Sequence, residues 1–429
     1  MAVFGALAIG ASGLNSQSAA LSVIGNNIAN VSTTGFKGSR TEFADLLSAS
    51  GGGELGKIGL GARVGAVRTL FQQGAIEATG RDKDLAIDGE GFFLVGDPNA
   101  PLFTRAGNFT SDANGDIITP EGLPVLAFPI SQTTGQRVGT PAPINTANLN
   151  SQAQATTTAT VGANLDANGA IPAGGFDSSS FTNAYASATH PVPVQVFDSL
   201  GGVHTATVFF TRTGTNAWRY DVAFDAGEVS SPAPGSLGAG DPMIVGNGTI
   251  TFNADGSLGT VTPAAPTTIT FVGANAQTIA FDFGATGLTD GLSQNASPFS
   301  LRFSSQNGFG VGDLKGVNFT EEGFVEALFS NGESRVIGQL ALARFPSPEG
   351  LLPLGDQLFQ QSADSGVAVV DVPLSGGRGA VVGGSLENSN VSIADEFIRL
   401  IEAQRGFQAN TRVITASDQL LNDLVNIIR

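Results

Sequence analysis

Apolar side chains near the start of this 429-residue chain recur at intervals of seven residues. The row consists of Leu7, Leu14, Leu21 and Ile28. Seven residues make about two helical turns, so this spacing is typical of a helix that packs against another helix. We therefore expect an α-helix over residues 1–30.

The other end of the chain carries a longer row with the same spacing. Its members are Ile393, Leu400, Phe407, Ile414, Leu421 and Ile428, and Phe397 widens the stripe. Together the two rows predict a pair of terminal helices. Two arrangements remain open at this point. The helices form a hairpin within one chain that caps a domain, or they also pack against helices of other subunits.

The predicted N-terminal helix has an unusual composition for a helix. It contains Gly5, Gly10, Gly13 and Gly25, and each interior glycine costs about 1 kcal/mol relative to alanine. The helix therefore needs partners, and we expect it to be loose in a monomer and ordered in an assembly. No charged residue precedes Lys37, which suits a crowded helical core because an unpaired buried charge is costly.

A loop of amides and small residues follows this helix. Asn26, Asn27 and Asn30 favour turn conformations and bond their own backbone, and Gly35 and Phe36 stand at the exit. We expect the helix to end in this loop. Beyond it, residues 41–50 suggest a short helix and residues 51–65 a flexible glycine-rich link.

Short apolar runs separated by turn signals fill the middle of the chain. Asp-Gly and Asn-Gly pairs stand at 88–89, 114–115, 255–256 and 331–332. Residues 145–290 differ from their flanks, because they lack lysine and contain both histidines, both tyrosines and the single tryptophan. Strand-like runs at 191–198 (PVPVQVFD) and 205–212 (TATVFFTR) predict a second β-domain there, inserted in the first. We expect this domain to be outermost, since insertions favour surface sites.

The predicted fold class is accordingly mixed. It combines a helical coiled-coil region made by the two termini with two mainly-β globular domains, the second inserted in the first.

The net charge of −17 and the absence of cysteine argue against several classes of function. Nucleic-acid binding depends on cationic contacts to phosphate, and anionic membranes attract basic surfaces, so we expect neither partner. Disulfides, thiolate chemistry and cysteine-ligated zinc are excluded. We find no apolar run of about 18 residues and so expect no membrane insertion. The uncharged start does not resemble a cleaved secretory signal.

Two short stretches imitate ligand-binding loops. Residues 51–57 (GGGELGK) have the spacing of a phosphate-binding loop, but Ile58 replaces the Ser or Thr that would hold Mg²⁺. Residues 112–116 (DANGD) begin like a calcium loop, but Ile117 replaces its glycine. We interpret the first stretch as a linker and the second as a hairpin turn.

Titratable side chains offer no clearer catalytic arrangement. Acidic residues cluster within residues 82–90, where a solvated turn is the plainer interpretation. His190 and His204 are too few for a zinc site. We therefore expect no catalytic residue, cofactor or metal, and predict that the chain is not an enzyme.

Several stretches together resemble the rod and hook protein family of the bacterial flagellum. They are residues 26–37 (NNIANVSTTGFK), 73–95, 103–117 and 389–428. Residues 338–366 are most similar to the hook members of that family. These stretches occur in the family's order.

The resemblance implies a domain organisation. Residues 1–30 and 391–429 would form an axial coiled-coil domain, followed by a connecting region of residues 31–72. Residues 73–144 and 291–390 would form one β-domain, with residues 145–290 as an inserted outer domain. In the family the C-terminal helix lines a central channel. The charged residues of that helix would then face water or neighbouring chains: Asp395, Glu402, Arg405, Arg412 and Asp423.

The function that the resemblance implies is mechanical. Copies would assemble through the seven-residue rows into a curved helical tube, a flexible joint that transmits torque from rod to filament and has a central export channel. The implied partners are the chain itself, the distal rod protein, the hook-capping protein, the hook–filament junction protein and the flagellar export apparatus. The implied location is the extracellular hook and basal body, reached without a cleaved signal peptide. A distal rod subunit and a secreted β-rich adhesin remain as alternatives.

Overall fold

A computed structural model of the chain describes residues 2–47, 59–131, 133–147, 149–232, 235–262 and 266–428. It divides into two compact units. The first unit consists of Met1–Asn148, Gly316–Leu328 and Ser334–Arg429. The second unit consists of Leu149–Lys315 and Phe329–Glu333, so its chain interrupts that of the first.

The helices of the described residues are α1 (Ala2–Ala29), α2 (Phe181–Ser187) and α3 (Ile393–Ile428), and Pro348–Gly350 forms a 3₁₀ turn. Both predicted terminal helices are confirmed, and they pack against each other. The helix α1 ends within the asparagine-rich loop, as its turn chemistry predicts.

Short strands make up most of the remaining chain. Those before residue 148 are Ser39–Leu47 (β1), Gly59–Thr69 (β2), Ile76–Ala78 (β3), Leu85–Asp88 (β4), Phe92–Asp97 (β5), Ala100–Thr104 (β6), Thr110–Ser111 (β7), Ile117–Ile118 (β8), Leu126–Pro129 (β9) and Ala142–Pro143 (β10). The next group is Asn150–Ser151 (β11), Thr158–Asp166 (β12), His190–Phe197 (β13), Val203–Gly214 (β14), Ala217–Asp225 (β15), Val229–Ser231 (β16), Pro242–Phe252 (β17), Leu258–Thr262 (β18), Thr267–Phe271 (β19), Ala276–Asp282 (β20), Ser293–Asn295 (β21) and Ser300–Gln306 (β22). The last group is Gly312–Phe319 (β23), Phe324–Phe329 (β24), Ser334–Leu340 (β25), Leu342–Arg344 (β26), Leu352–Gly355 (β27), Leu358–Gln360 (β28), Val369–Asp371 (β29), Ala380–Gly383 (β30) and Ser385–Glu387 (β31).

The segment after the asparagine-rich loop is a β-hairpin, so the short helix predicted at residues 41–50 is wrong over its described part. The strand β1 pairs antiparallel with β2, with Ser39 opposite Thr69 and Phe43 opposite Val64. The backbone hydrogen bonds of β1 are thus made with β2, which lies later in the chain. A pattern within residues 41–50 does not reveal that partner. The strand β2 also replaces the flexible link expected from residue 59 onward. The phosphate-loop pattern at 51–57 lies outside the described residues.

In the β-part of the first unit, one sheet has the order β27-β28-β6-β5-β26-β29 and another contains β10-β9-β25-β24-β23. Their buried side chains include Phe93, Val325 and Leu340. The predicted turns at 114–115 and 331–332 are confirmed, since they connect the antiparallel pairs β7–β8 and β24–β25. At 88–89 the chain turns without a hairpin, because β4 pairs with β30 and β5 with β6.

The second unit is built from two sheets. The first has the order β13-β14-β15-β17-β18, and the second has the order β16-β19-β20-β12-β21 with β22 also paired to β12. The predicted turn at 255–256 connects β17 to β18. Trp218, Phe210 and Phe271 are fully buried in a core shared by both sheets. This core is separate from that of the first unit.

Candidate functional site at the paired terminal helices

Glycines bring the two terminal helices into close contact. The helices run antiparallel, because Gly10 faces Ile414 while Gly13 faces Asn410. A Cβ added to Gly10 would lie 2.9 Å from Ile414 Cγ1, and one added to Gly13 would lie 2.5 Å from Asn410 Oδ1. Gly406 makes a similar approach from α3. Two of the four glycines that weaken α1 as an isolated helix, Gly10 and Gly13, therefore allow it to approach its partner.

A small apolar cluster continues this contact toward the end of α1. It contains buried Ala20, Ile24 and Ala403, with half-buried Leu21, Ile28 and Leu400 packed against them. Three of the predicted self-assembly residues, Leu21, Ile28 and Leu400, thus meet within one chain.

The remaining predicted positions do not form one continuous buried seam. Leu7, Leu14 and Leu421 are half-buried, and the side chain of Ile428 lies outside the described residues. Ile393, Phe397 and Phe407 are 48%, 51% and 38% exposed. The helix α3 therefore carries an apolar surface that the described part of the chain leaves in contact with solvent.

Small polar side chains of α1 hold the β1–β2 hairpin. Ser12 Oγ accepts a hydrogen bond from Ala62 N at 3.3 Å, and Ser16 Oγ donates to Ala62 O at 3.2 Å. Buried Asn27 donates to Ser39 O at 2.8 Å and accepts from Ser39 N at 2.9 Å. The side-chain amide of Asn27 thus bonds both the N–H and the C=O of Ser39, as the backbone of a neighbouring strand would.

The other motif-loop residues form hydrogen bonds both within the loop and to a distant part of the first unit. Asn30 Nδ2 donates to Asn26 O at 2.9 Å. Gly35 has a φ of 68°, and its N–H donates to Glu387 O at 2.7 Å. Phe36 is half-buried. The loop is therefore a connection between α1 and the strand that precedes α3.

A buried charge network lies directly after this loop. Lys37 Nζ is 2.6 Å from Glu387 Oε1 and donates to Gln72 O at 2.8 Å. Gly74 N also donates to Glu387 Oε1 at 2.8 Å, and Arg105 Nη1 lies 3.4 Å from Glu387 Oε2. Burial lowers the pKa of Lys37, and the Glu387 carboxylate partly offsets that effect.

Sequence reasoning missed this network. Its signal was the position of Lys37, the first charge in the chain, directly after the motif loop. Only the fold shows that Glu387 and Arg105 approach it.

Two of the acidic residues in the cluster at 82–90 serve separate structural contacts. Buried Asp84 accepts a hydrogen bond from Thr79 Oγ1 at 2.7 Å, whereas exposed Glu90 pairs with Arg344 Nε at 2.7 Å. Residues 112–116 form a turn between β7 and β8. Across the described residues, no group of three or more His, Cys, Asp or Glu side chains is placed to hold a metal. No described helix has the length and apolarity needed to cross a bilayer.

Comparison with known families gives four matches along the chain. The matching descriptions are "Flagella basal body rod protein" at residues 7–37, "Flagellar hook protein FlgE/F/G D1 domain" at 86–171, "Flagellar basal body protein FlaE D2 domain" at 164–309 and "Flagellar basal body rod FlgEFG protein C-terminal" at 382–427. The first and last matches include most of α1 and α3.

Relatives align over nearly the whole chain. The flagellar hook protein FlgE of Salmonella typhimurium is 34% identical over 419 residues, which cover 97% of this chain and 98% of the relative. The FlgE of Brucella suis is 30% identical over 436 residues, which cover 100% of both chains. This chain belongs to the flagellar hook protein family.

As a member of the flagellar hook protein family, the chain is a structural subunit of the hook. The family is structural and is not known for an enzymatic activity. The full-length match to hook proteins favours the hook over the distal rod and adhesin alternatives.

Proposed function

We propose that copies of this flagellar hook protein polymerise through their terminal helices into the helical tube of the hook. The observation that carries the proposal is the exposed apolar surface of α3, which includes Ile393, Phe397 and Phe407. Large apolar side chains exposed along one helix favour an interaction site, and the seven-residue spacing suits a partner helix. The predicted self-assembly residues would then have two roles, with some packing inside the subunit and others between subunits.

The tube requires contacts between different surfaces of identical subunits, since such contacts do not close into a small ring. We assign the inner axial layer to residues 1–30 and 391–429. The β-domain of residues 73–144 and 291–390 and the inserted domain of residues 145–290 would lie outside it. A curved, flexible joint needs outer contacts that slide, which small polar contacts permit more readily than large apolar ones.

The buried network around Lys37 supports a mechanical role. It joins the loop after α1 to the strand before α3 through charged groups that are excluded from water. Removing Glu387 would leave Lys37 buried without a carboxylate partner, and removing Lys37 would leave Glu387 with Arg105 as its one charged partner in this network, so the junction resists separation. We propose that torque passes between the helices and the β-part of the subunit through this junction.

The proposal extends to partners and location. The tube would join the distal rod protein at one end and the hook–filament junction protein at the other, with the hook-capping protein present during growth. Subunits would reach the outside of the cell uncleaved, through the flagellar export apparatus. We propose no enzymatic activity, because Asp84 and Glu90 of the acidic cluster are engaged in structural contacts.

Electron microscopy of the purified chain with preformed hook seeds tests the function. The full chain should extend the seeds as curved tubes, and a variant lacking residues 1–30 and 391–429 should not. Leu400→Ala and Leu421→Ala should raise the concentration needed for growth. Straight tubes would favour a rod subunit. If single changes in the inserted domain abolished growth while those at Leu400 and Leu421 did not, the helical assembly surface would be wrong.

A further inference from the structure

The base of the β1–β2 hairpin is anchored to the β-part of the first unit by buried contacts. One is the pair between Lys37 and Glu387, both of which are fully excluded from solvent. Another is Phe71, directly after β2, whose ring packs edge to face on that of Phe92 with the centroids 5.4 Å apart. Breaking a buried charge pair is strongly unfavourable, so this base is a firm attachment.

A second attachment of the same hairpin is exposed. Arg68 of β2 reaches the 3₁₀ turn of the β-part, where its Nη1 lies 2.9 Å from Glu349 Oε2. Both side chains of this pair are 51% exposed. Solvent screens such a pair, so it opens far more readily than the buried base.

The charges of the hairpin favour this exposed contact. Arg40 lies directly opposite Arg68 in the β1–β2 register, so the two guanidinium groups share one face of the hairpin. Glu42 lies 3.5 Å from Arg40 and 3.0 Å from Arg68, and it compensates one of the two positive charges. Glu349 supplies the second carboxylate from the β-part, so the network of two cations and two anions is complete only when the hairpin and the β-part meet.

A cavity lies next to this network. Its volume is about 320 Å³, and its lining includes Ser39 and Thr69 at the hairpin base and Pro353, Asp356 and Leu358 of the β27–β28 segment. The two sides are not packed together there, so a change in the tilt of the hairpin breaks few apolar contacts.

We propose that Arg68 and Glu349 form an ionic latch that fixes the tilt of the β1–β2 hairpin on the β-part of the first unit. When the latch opens, the hairpin tilts about its buried base, beside the cavity. The helix α1 follows the hairpin, because Ser12, Ser16 and Asn27 bond it.

The role of the latch in the hook rests on the proposed function and deepens it. In a curved tube, copies on the inner and outer sides of the bend are spaced differently along the axis. A tilt that changes at low cost lets identical subunits occupy both sides, while the buried base keeps each subunit connected.

Spin labels on the full chain test the latch without polymerisation. The natural chain has no cysteine, so Leu60→Cys on β2 and Leu328→Cys on β24 place one label on each side of the latch, both at exposed positions. Pulsed electron paramagnetic resonance should give a narrow distance distribution at about 0.05 M salt. The distribution should become at least about twice as wide at 1 M salt, where the Debye length falls to about 3 Å.

Changes to the latch residues in this labelled chain separate the pair from general effects of salt. Glu349→Gln removes one charge and keeps the size, so its distribution should be wide at low salt and insensitive to added salt. Arg68→Glu combined with Glu349→Arg should be narrow again at low salt, because the network charges still sum to zero. Glu90→Gln is the matched control, since it breaks an exposed pair with Arg344 within the β-part and should leave the distribution unchanged.

Electron microscopy of tubes grown on hook seeds tests the role in the hook. At low salt, Glu349→Gln tubes should show a wider spread of curvature than wild-type tubes. Glu90→Gln tubes should match the wild type.

The outcomes separate this inference from the proposed function. A distance distribution of Glu349→Gln that equals that of the wild type at low salt overturns the latch, and so does equal widening in Glu90→Gln. If the wild-type chain forms no tube on seeds, the proposed function fails, and the spin labels still decide whether the latch exists. If the label distances widen in Glu349→Gln while tube curvature stays the same, the role of the latch in the hook is overturned.

Discussion

Lys37 Nζ lies 2.6 Å from Glu387 Oε1, and both side chains are completely excluded from solvent. The two residues are 350 positions apart in the chain. Lys37 follows the loop after α1, and Glu387 ends the last strand before α3. The pair therefore joins the segment after α1 to the strand before α3 within the first unit.

Replacing Lys37 should destabilise the first unit strongly. Lys37→Met leaves the Glu387 carboxylate buried, with Arg105 at 3.4 Å as its remaining charged partner. Breaking a buried pair in this way costs about 3–5 kcal/mol of unfolding free energy. Urea unfolding followed by far-ultraviolet circular dichroism measures the loss.

The control for this change is an exposed ion pair of similar length. Arg344 Nε lies 2.7 Å from Glu90 Oε2, and both side chains are largely exposed. Arg344→Met should cost no more than about 1 kcal/mol, because solvent screens such pairs. Equal losses in the two variants would show that burial does not give the Lys37 pair its importance.

Asn27 should matter more than its neighbour Asn26, although both belong to the same motif. Asn27→Ala removes two hydrogen bonds to the backbone of Ser39, and we expect a loss of about 1–3 kcal/mol because partly buried backbone groups lose their partner. Hydrogen exchange at the Ser39 amide should accelerate. Exposed Asn26→Ala should leave that exchange rate nearly unchanged, and similar acceleration in both variants would contradict the specific role of Asn27.

Two glycines of α1 should respond oppositely to alanine. Gly25 has nothing within 4 Å of an added Cβ, so Gly25→Ala should stabilise the helix by up to about 1 kcal/mol. Gly13→Ala should cancel or reverse that gain, because its Cβ would lie 2.5 Å from Asn410 Oδ1. Thermal unfolding of the helical circular dichroism signal compares the two. A gain of the same size at Gly13 would mean that the helices do not approach closely there.

The Asp371 carboxyl gives a prediction on pH. The hydrogen bond from Arg137 Nη1, at 2.9 Å, lowers the pKa of Asp371, while partial burial opposes the shift. Because the folded-state pKa is lowered, this interaction stabilises the fold fully above the ordinary pKa of an aspartate. The contribution is lost as pH falls through the folded-state pKa.

Arg137→Gln should therefore move the pKa of Asp371 upward, toward its ordinary value. Carboxyl chemical shifts followed by nuclear magnetic resonance across acidic pH measure the change. Asp255, whose pKa is lowered by the hydroxyl and backbone N–H of Ser257, should titrate as in the wild type. An unchanged titration of Asp371 would show that Arg137 does not cause its shift.

Local pattern was enough to predict several elements of this fold. The seven-residue rows predict both terminal helices, and the asparagine-rich loop predicts where α1 ends. Asn331-Gly332 predicts the turn between β24 and β25. These features depend on residues within one helical turn or one hairpin, so neighbouring side chains carry their signal.

The pairing of strands that are distant in the chain could not be predicted from local sequence pattern. The strand β1 takes its backbone partner from β2, and β4 takes its partner from β30 rather than from the next strand. The strand β12 pairs with three segments that lie far along the chain, β20, β21 and β22. Strand identity there depends on which segments meet, and burial of small side chains such as Ala159 and Ala163 follows from that meeting.

The sequence by itself determined that two long terminal helices frame a β-rich body that lacks thiol chemistry. Only the tertiary structure decided how those helices pack against each other and which residues connect them to the β-part of the first unit. Gly10 and Gly13 make the close contact with α3, whereas the spacing had pointed to the leucines. Lys37 becomes a buried structural charge only because Glu387 is brought within 2.6 Å of it. Close packing and charge compensation depend on distances between residues remote in the chain, which local periodicity does not specify.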